Sequence, residues 1–270
     1  MPELSVLPGF GPAAPVPYLA LFSDFGVAGP YVGQVLAVWA ALAPGIPAFD
    51  LFSGAAPFDA AAGGVLLHAL AVRLPRGGVV AAVIDPGVGG ERDVLALRAD
   101  GLWFCGPDNG LLAAVAARAE RAEAWRVTWR PERLSATFHG RDLFAPIAAG
   151  LARSGRPPRE AESIAPGTVA GFAEGGRELW RIVAADRYGN LMSGVRAATV
   201  PSGIRIAFKG RILSRAERFG SRPEGGAFWY ENANGLVEIA VNRGSAAEVF
   251  GGNIGDALEA VADDEKSAGL

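Results

Sequence analysis

A chain of 270 residues with 50% hydrophobic and 20% charged side chains is long enough for one large folded domain or two smaller ones. A formal charge of -3 argues against nucleic-acid binding through a basic face, and the nearby Arg121, Arg126, Arg130 and Arg133 read as a solvated surface. A single cysteine, Cys105, rules out an intrachain disulfide and fits a cytoplasmic protein; lying in an apolar run, it reads as a small buried hydrophobe.

Residues 1–17 are rich in Pro, Ala and Gly and lack the basic start and unbroken apolar run of a leader peptide. Residues 60–72 are apolar but too short to span a membrane, and His68 interrupts them. The next segments alternate. Residues 18–23 read as a buried strand and 30–43 as a helix, with Pro30 in its first turn and Pro44-Gly45 as its stop. Residues 48–52 form a second strand. Asp59 caps a helix running to Leu74. Residues 78–84, apolar throughout, read as a central strand covered on both faces.

Residues 94–98 and 102–105 read as a hairpin, and 110–118 and 142–152 as helices. Strand, helix, strand, helix, strand implies a mostly parallel α/β sheet over residues 1–165. The Pro/Gly/Ala-rich region around 154–176 reads as connecting chain, with a linker at about 166–177. Residues 178–270 carry short strands at 179–184, 204–208, 228–231 and 236–241, which predicts a smaller all-β, barrel-like domain. The alternation in 235–242 resembles an edge strand, with Glu238 an unusual charge inside it. Residues 262–270 read as a frayed end.

Two short stretches carry the chemistry. Ile84-Asp85-Pro86-Gly87-Val88-Gly89 follows the third strand, with Arg92 close behind, and Thr137-Phe138-His139-Gly140-Arg141-Asp142 holds one of only 2 histidines. Asp, Arg and His at one point can bind and polarise water. Asp24 also follows a strand, so two carboxylates fall at the carboxyl edge of the sheet, where ligands of open α/β sheets bind. Asp24 suits the paired hydroxyls of a ribose, or a turn cap.

The glycine-rich loop lacks both the Walker and the dinucleotide spacing. Two distant histidines and one cysteine make no metal site, and no Gly-x-Ser-x-Gly elbow exists. Gly106-Pro107-Asp108-Asn109-Gly110 reads as a tight turn. Asp186 and Asn190 read equally as ligand groups or as turn-shapers.

Taken in order, Ser23-Asp24-Phe25-Gly26, Asp85-Pro86-Gly87-Val88-Gly89, Gly106–Gly110, Thr137–Asp142, Asp186-Arg187-Tyr188-Gly189-Asn190 and Gly235-Leu236-Val237-Glu238-Ile239-Ala240 resemble the S-adenosyl-L-methionine hydroxide adenosyltransferases, relatives of the fluorinases and chlorinases. The resemblance spans about residues 18–260. It implies an α/β domain followed by a barrel-like one, in a homotrimer with sites between subunits. It also implies hydrolysis of S-adenosyl-L-methionine to adenosine and L-methionine, with that molecule as substrate, no cofactor, no nucleic acid and no membrane.

The family's triad falls on Asp85, Arg92 and His139, and its ribose-binding acid on Asp24. The aromatic against the sugar falls on Phe58. Asp186, Asn190, Glu238, Val241, Asn242 and Arg243 fall in substrate-binding segments. An adenosine-binding protein with little turnover and a halide-dependent transferase are the competing readings. An ionised Asp85, where the halogenating relatives carry an aromatic or small residue, disfavours the second. The chain departs from the family at Gly29, in place of a second acid, near Ser53, where a histidine is often found after the second strand, and in Asn232–Gly235, which lacks a serine.

Overall fold

A computed structural model describes residues 16–262. The readings of 1–17 and 262–270 therefore lie outside the described residues, except for residues 16 and 17 and Ala262. The chain forms two compact units divided after Arg177. The first contains β1 (Leu19–Ser23), α1 (Tyr31–Leu42), β2 (Ala48–Phe52), α2 (Ala60–Ala71), β3 (Val79–Val83), β4 (Val94–Ala99), β5 (Leu102–Pro107), α3 (Ala113–Arg118), β6 (Ala122–Val127), α4 (Ala145–Ser154), β7 (Ala161–Ile164) and the single turn α5 (Phe172–Gly175).

Its seven strands lie in the order β2-β1-β3-β5-β4-β6-β7. The pairings β1 with β2, β1 with β3 and β3 with β5 are parallel, and β4 and β7 run against the rest. The mostly parallel sheet is thus as expected, with β6 and β7 as additions. Both are short and half-exposed, so no continuous apolar run marked them.

α1 and α4 cover one face, where Trp39, Val35, Phe144 and Ala148 pack on Leu19, Leu21, Val79 and Val83. The alternate strand residues Ala20, Phe22, Val80 and Ala82 are equally buried, so the other face is covered too. α2 lies there with α3 and α5 against it. Asp59 caps α2 as the sequence indicates, accepting from the Ala62 amide at 3.0 Å. Cys105 is fully buried, and burial pushes its thiol up to about 12.

The stretch 166–177 is not a free linker. It holds a 3-10 turn (Pro166–Thr168) and α5, and Arg118 donates to the Gly175 carbonyl at 2.9 Å. Its small residues serve close packing, because a Cβ on Gly175 would meet the Ala113 backbone at 2.4 Å.

The second unit contains β8 (Leu179–Ala185), β9 (Leu191–Arg196), β10 (Ile204–Phe208), β11 (Arg211–Leu213), β12 (Ala227–Glu231), β13 (Leu236–Val241), α6 (Ala246–Phe250) and β14 (Glu259–Ala262). They form two antiparallel sheets, β11-β10-β14 and β12-β13-β9-β8. Ile206, Phe208 and Leu213 of one sheet share a core with Ile182, Leu191, Trp229 and Ile239 of the other. β13 is not an edge strand. It lies between β12 and β9, and every residue in it is buried.

Glu238 is therefore a buried carboxylate in a central strand. Its oxygens accept from the Tyr230 hydroxyl, directly across the pairing, and from Asn232 Nδ2 at 2.7 Å. Burial raises its pKa above the usual glutamate value, more than the two hydrogen bonds lower it. Folding thus favours the protonated form. The stability this confers is complete below the ordinary value of 4.5 and is lost as pH rises through the higher folded value. In Glu238→Gln this fall in stability above pH 4.5 should flatten when followed by denaturant unfolding. Glu238→Ala should cost about 1–3 kcal/mol for each partner left unsatisfied.

Candidate active site

The carboxyl ends of β1 and β3 lie side by side because the two strands pair in parallel, with Ser23 opposite Val83. Asp24 and Asp85 follow those ends, and both line one cavity of about 110 Å³. Phe25, Phe58, Val83, Val88 and the run Thr137–Gly140 complete its wall. A larger depression near Arg76, Arg98 and Arg121 lies by the β4–β5 turn, at the opposite edge. Its three arginines are matched by Asp100, Glu120 and Glu123.

Asp85 grips Arg92 with both oxygens. Arg92 Nε donates to Oδ1 at 2.9 Å, and Nη2 donates to Oδ2. The two side chains are 5% and 12% exposed, so the pair is largely dry. The Arg92 guanidinium also lies over the Phe144 ring at 5.6 Å. Asn109 fixes the strand end that carries Asp85: its Nδ2 donates to the Ile84 carbonyl at 2.8 Å, while its Oδ1 accepts from the Leu111 amide. The Gly106–Gly110 motif is thus more than a turn, since it locks the base of Asp85.

His139 is 5% exposed, and its Nδ1 is buried with no hydrogen-bond partner among the described residues. It opens a π-helical turn (Gly140–Phe144) that runs into α4. Pro146 has no N–H to give to the Asp142 carbonyl, and the wider turn accommodates its ring. The expected helix at 142–152 therefore starts earlier and in a different form. The space beside Gly140 is filled by aromatics, since a Cβ there would meet Phe25 at 2.8 Å and Phe138 at 3.1 Å. Phe138 packs edge-on against both Phe25 and Tyr31, which are tilted to each other.

Arg141 and Asp142 brace the turn from outside. Arg141 pairs with Asp142 through two nitrogens and reaches Gln34 of α1 at 2.8 Å. Asp142 also accepts from the Ser135 amide. The neighbouring loop closes on the glycine-rich loop: Gly89 has φ +83°, and a Cβ there would sit 2.6 Å from the Ala136 carbonyl. That close approach, rather than a phosphate, explains this glycine.

Asp24 Oδ2 accepts from the Phe58 amide at 3.0 Å. Phe58 is 75% exposed and has a φ of 64°, a rare conformation for a bulky residue. Phe58 and Asp24 are thereby locked together at the mouth of the cavity.

The sequence-derived residues of the second unit are arranged differently. Asp186 accepts from the Tyr188 and Asn190 amides and from Asn190 Nδ2. Both residues are therefore engaged in shaping their own turn. Asn242 likewise serves the backbone, donating to the Arg222 carbonyl at 2.7 Å. Arg243 stands exposed, paired loosely with Glu224, and has a φ of 54°. Val241 is buried in the core. Among the described residues no group of His, Cys, Asp and Glu could hold a metal ion, and no helix is long and apolar enough to cross a membrane.

Sequence reasoning assigned no wall role to Phe25, Val88, Thr137 and Phe138, although each lies inside a quoted motif. Asn109 was visible inside its motif but carried no sign of the Ile84 carbonyl it would meet.

The first unit matches the model for the SAM hydroxide adenosyltransferase N-terminal domain over residues 19–161, and the second matches that for the C-terminal domain over 180–259. A protein of Thermus thermophilus named (R)-S-adenosyl-L-methionine hydrolase is 39% identical over 85% of this chain and 93% of its own. One of the same name from Salinispora arenicola is 33% identical over 92% and 99%. The crystal structure of an uncharacterized conserved protein from Thermotoga maritima superposes with a TM-score of 0.78 at 26% identity, covering 90% of this chain and 99% of its own. That of a conserved hypothetical protein from Thermus thermophilus gives 0.71 at 32%, over 91% and 100%.

Burial, together with the Arg92 charge, holds the His139 pKa below the ordinary 6.5, while Asp85 pulls it the other way. By NMR titration His139 should titrate below pH 6.5. In Arg92→Ala, Asp85 is left unbalanced and the His139 midpoint should move upward; a fixed or lower midpoint would contradict the arrangement.

Proposed function

The chain belongs to the SAM hydroxide adenosyltransferase family, and on that premise we propose that it hydrolyses S-adenosyl-L-methionine to adenosine and L-methionine. The observation that carries this reading is the meeting, in the wall of one small cavity, of Asp85 with Arg92 paired to it, the buried His139 and the carboxylate of Asp24.

The reaction is an in-line displacement. The water oxygen forms a bond to C5′ of the ribose as the C5′–S bond breaks. The electron pair of that bond passes to sulfur and discharges the sulfonium. Methionine leaves as a neutral thioether, so no acid is needed. The site has to hold a water on the line of the C5′–S bond and take its proton, largely a positioning task.

Asp85 is engaged by Arg92 at both oxygens, which leaves it an anchor for the water rather than the base. His139 is the base. Its lowered pKa keeps it neutral at pH 7, and it passes the proton on to solvent. Asp24 accepts the ribose hydroxyls, since a carboxylate has lone pairs to spare beyond the one given to Phe58. The exposed Phe58 ring packs on the sugar.

The methionine and adenine contacts fall to the second unit of a neighbouring copy, around Glu238 and residues 241–243, in a homotrimer. Asp186 and Asn190 act there by shaping a loop. No cofactor is assigned, because the sulfonium supplies the leaving group, and the cytoplasm is the location this substrate implies. A halide fares poorly, because Asp24 adds a negative charge to the cavity beyond Asp85, which Arg92 already pairs.

Purified protein should release adenosine and methionine in equal amounts from the sulfonium; no adenosine above a protein-free control between pH 6 and 9 would sink the proposal. kcat/KM should be level above pH 6.5 and fall as His139 is protonated below it. His139→Ala should lose about 10²- to 10⁴-fold in kcat. Asp24→Ala should chiefly raise KM.

A further inference from the structure

Beneath Asp24 and Phe58 runs a chain of hydrogen bonds that the proposed reaction does not use. The Phe25 amide approaches Ser23 Oγ at 3.4 Å. Ser23 Oγ donates to Ser53 Oγ at 3.0 Å, and Ser53 Oγ donates to Asp50 Oδ1 at 2.6 Å. Both serines are fully buried. Because an ionised carboxylate can only accept, Asp50 fixes the direction of every hydroxyl above it.

The backbone takes the same course. Gly26 donates to the Ser53 carbonyl at 2.8 Å, and Ala55 donates to the Ser23 carbonyl at 3.2 Å. The loop after β1 and the loop after β2 are therefore tied into one piece, and this piece presents Asp24 and Phe58. The strands are bent to allow it. Leu21 pairs with Asp50, but the next residue, Phe22, pairs with Phe52, so Leu51 is an inserted residue. Such bulges are rare between parallel strands and re-aim the chain beyond them.

We infer that Asp50 is a positioning residue for the nucleoside subsite, acting through Ser53 and Ser23 on the loops that carry Asp24 and Phe58. The hydroxyl chain thus links the end of β2 to the end of β1 through side chains as well as backbone. The inference rests on the proposed role of Asp24 in ribose binding.

Adenosine binding, measured by calorimetry on the full chain, separates the two. Asp50→Ala should weaken adenosine about tenfold, because the two buried hydroxyls lose their fixed acceptor. It should raise KM for the sulfonium similarly while changing kcat less than about twofold. Asp50→Asn keeps an acceptor oxygen and should restore affinity to within about twofold. Ser53→Ala should match Asp50→Ala, and the double variant should be no worse than either single one.

Wild-type affinity in both Asp50→Ala and Ser53→Ala would overturn the inference while leaving the function intact. Equal weakening in Asp50→Asn would overturn it too, by showing that charge and not the chain matters. Wild-type protein that binds no adenosine would overturn the nucleoside reading itself, and this inference with it.

Discussion

A bidentate ion pair at the carboxyl edge of a parallel sheet is the constraint around which the first unit is arranged. Taking Asp85 and Arg92 out of water costs more than an exposed pair returns, and a hydrophobic pair of similar volume is often more stable. Such a pair is poor evidence of a stabilising device and better evidence of a polar group held in place. The surroundings fit that view. Asn109 pins the Ile84 carbonyl just ahead of Asp85, and Gly89 lets the 135–138 backbone close in over the loop behind it. The Phe144 ring receives the guanidinium face.

His139 depends on the pair electrostatically. Its ring is buried, which disfavours the imidazolium, and the nearby guanidinium adds to that. The Asp85 carboxylate opposes both. The balance favours the neutral imidazole, the state a proton acceptor requires. The aromatic trio of Phe25, Tyr31 and Phe138 and the brace of Arg141, Asp142 and Gln34 hold the π turn from which the ring projects. The π turn ends just before Pro146, whose missing N–H leaves the Asp142 carbonyl without an α-helical donor.

Much of this was legible in the sequence because the key side chains sit just past strands that announce themselves. β1 and β3 are uninterrupted apolar runs, and the residues after a parallel strand arrive at the same edge as those after its neighbour. Asp24 and Asp85 are therefore placed together by the sequence pattern alone. Strand β13 was less legible. Its alternation looked like an edge because Glu238 stood for a solvent-facing position, yet the charge is buried and met by Tyr230 and Asn232. Those partners lie 8 and 6 residues away, and only the β12–β13 pairing brings them across. Periodicity reports which side of a strand a residue faces, but not whether that side is wet. The small residues of 166–177 misled for a related reason, since glycine and alanine mark close packing as readily as freedom.

The least legible feature was the link between the two loops that carry Asp24 and Phe58. Ser23 and Ser53 are 30 residues apart, and neither belongs to a catalytic motif by type. In the fold the two hydroxyls form one chain that ends on Asp50, beside a bulge in the β1–β2 pairing. The short Ser53 hydroxyl spans the gap because Ser23 meets it from the neighbouring strand. A change at one strand end is thus meaningful only together with its partner on the other.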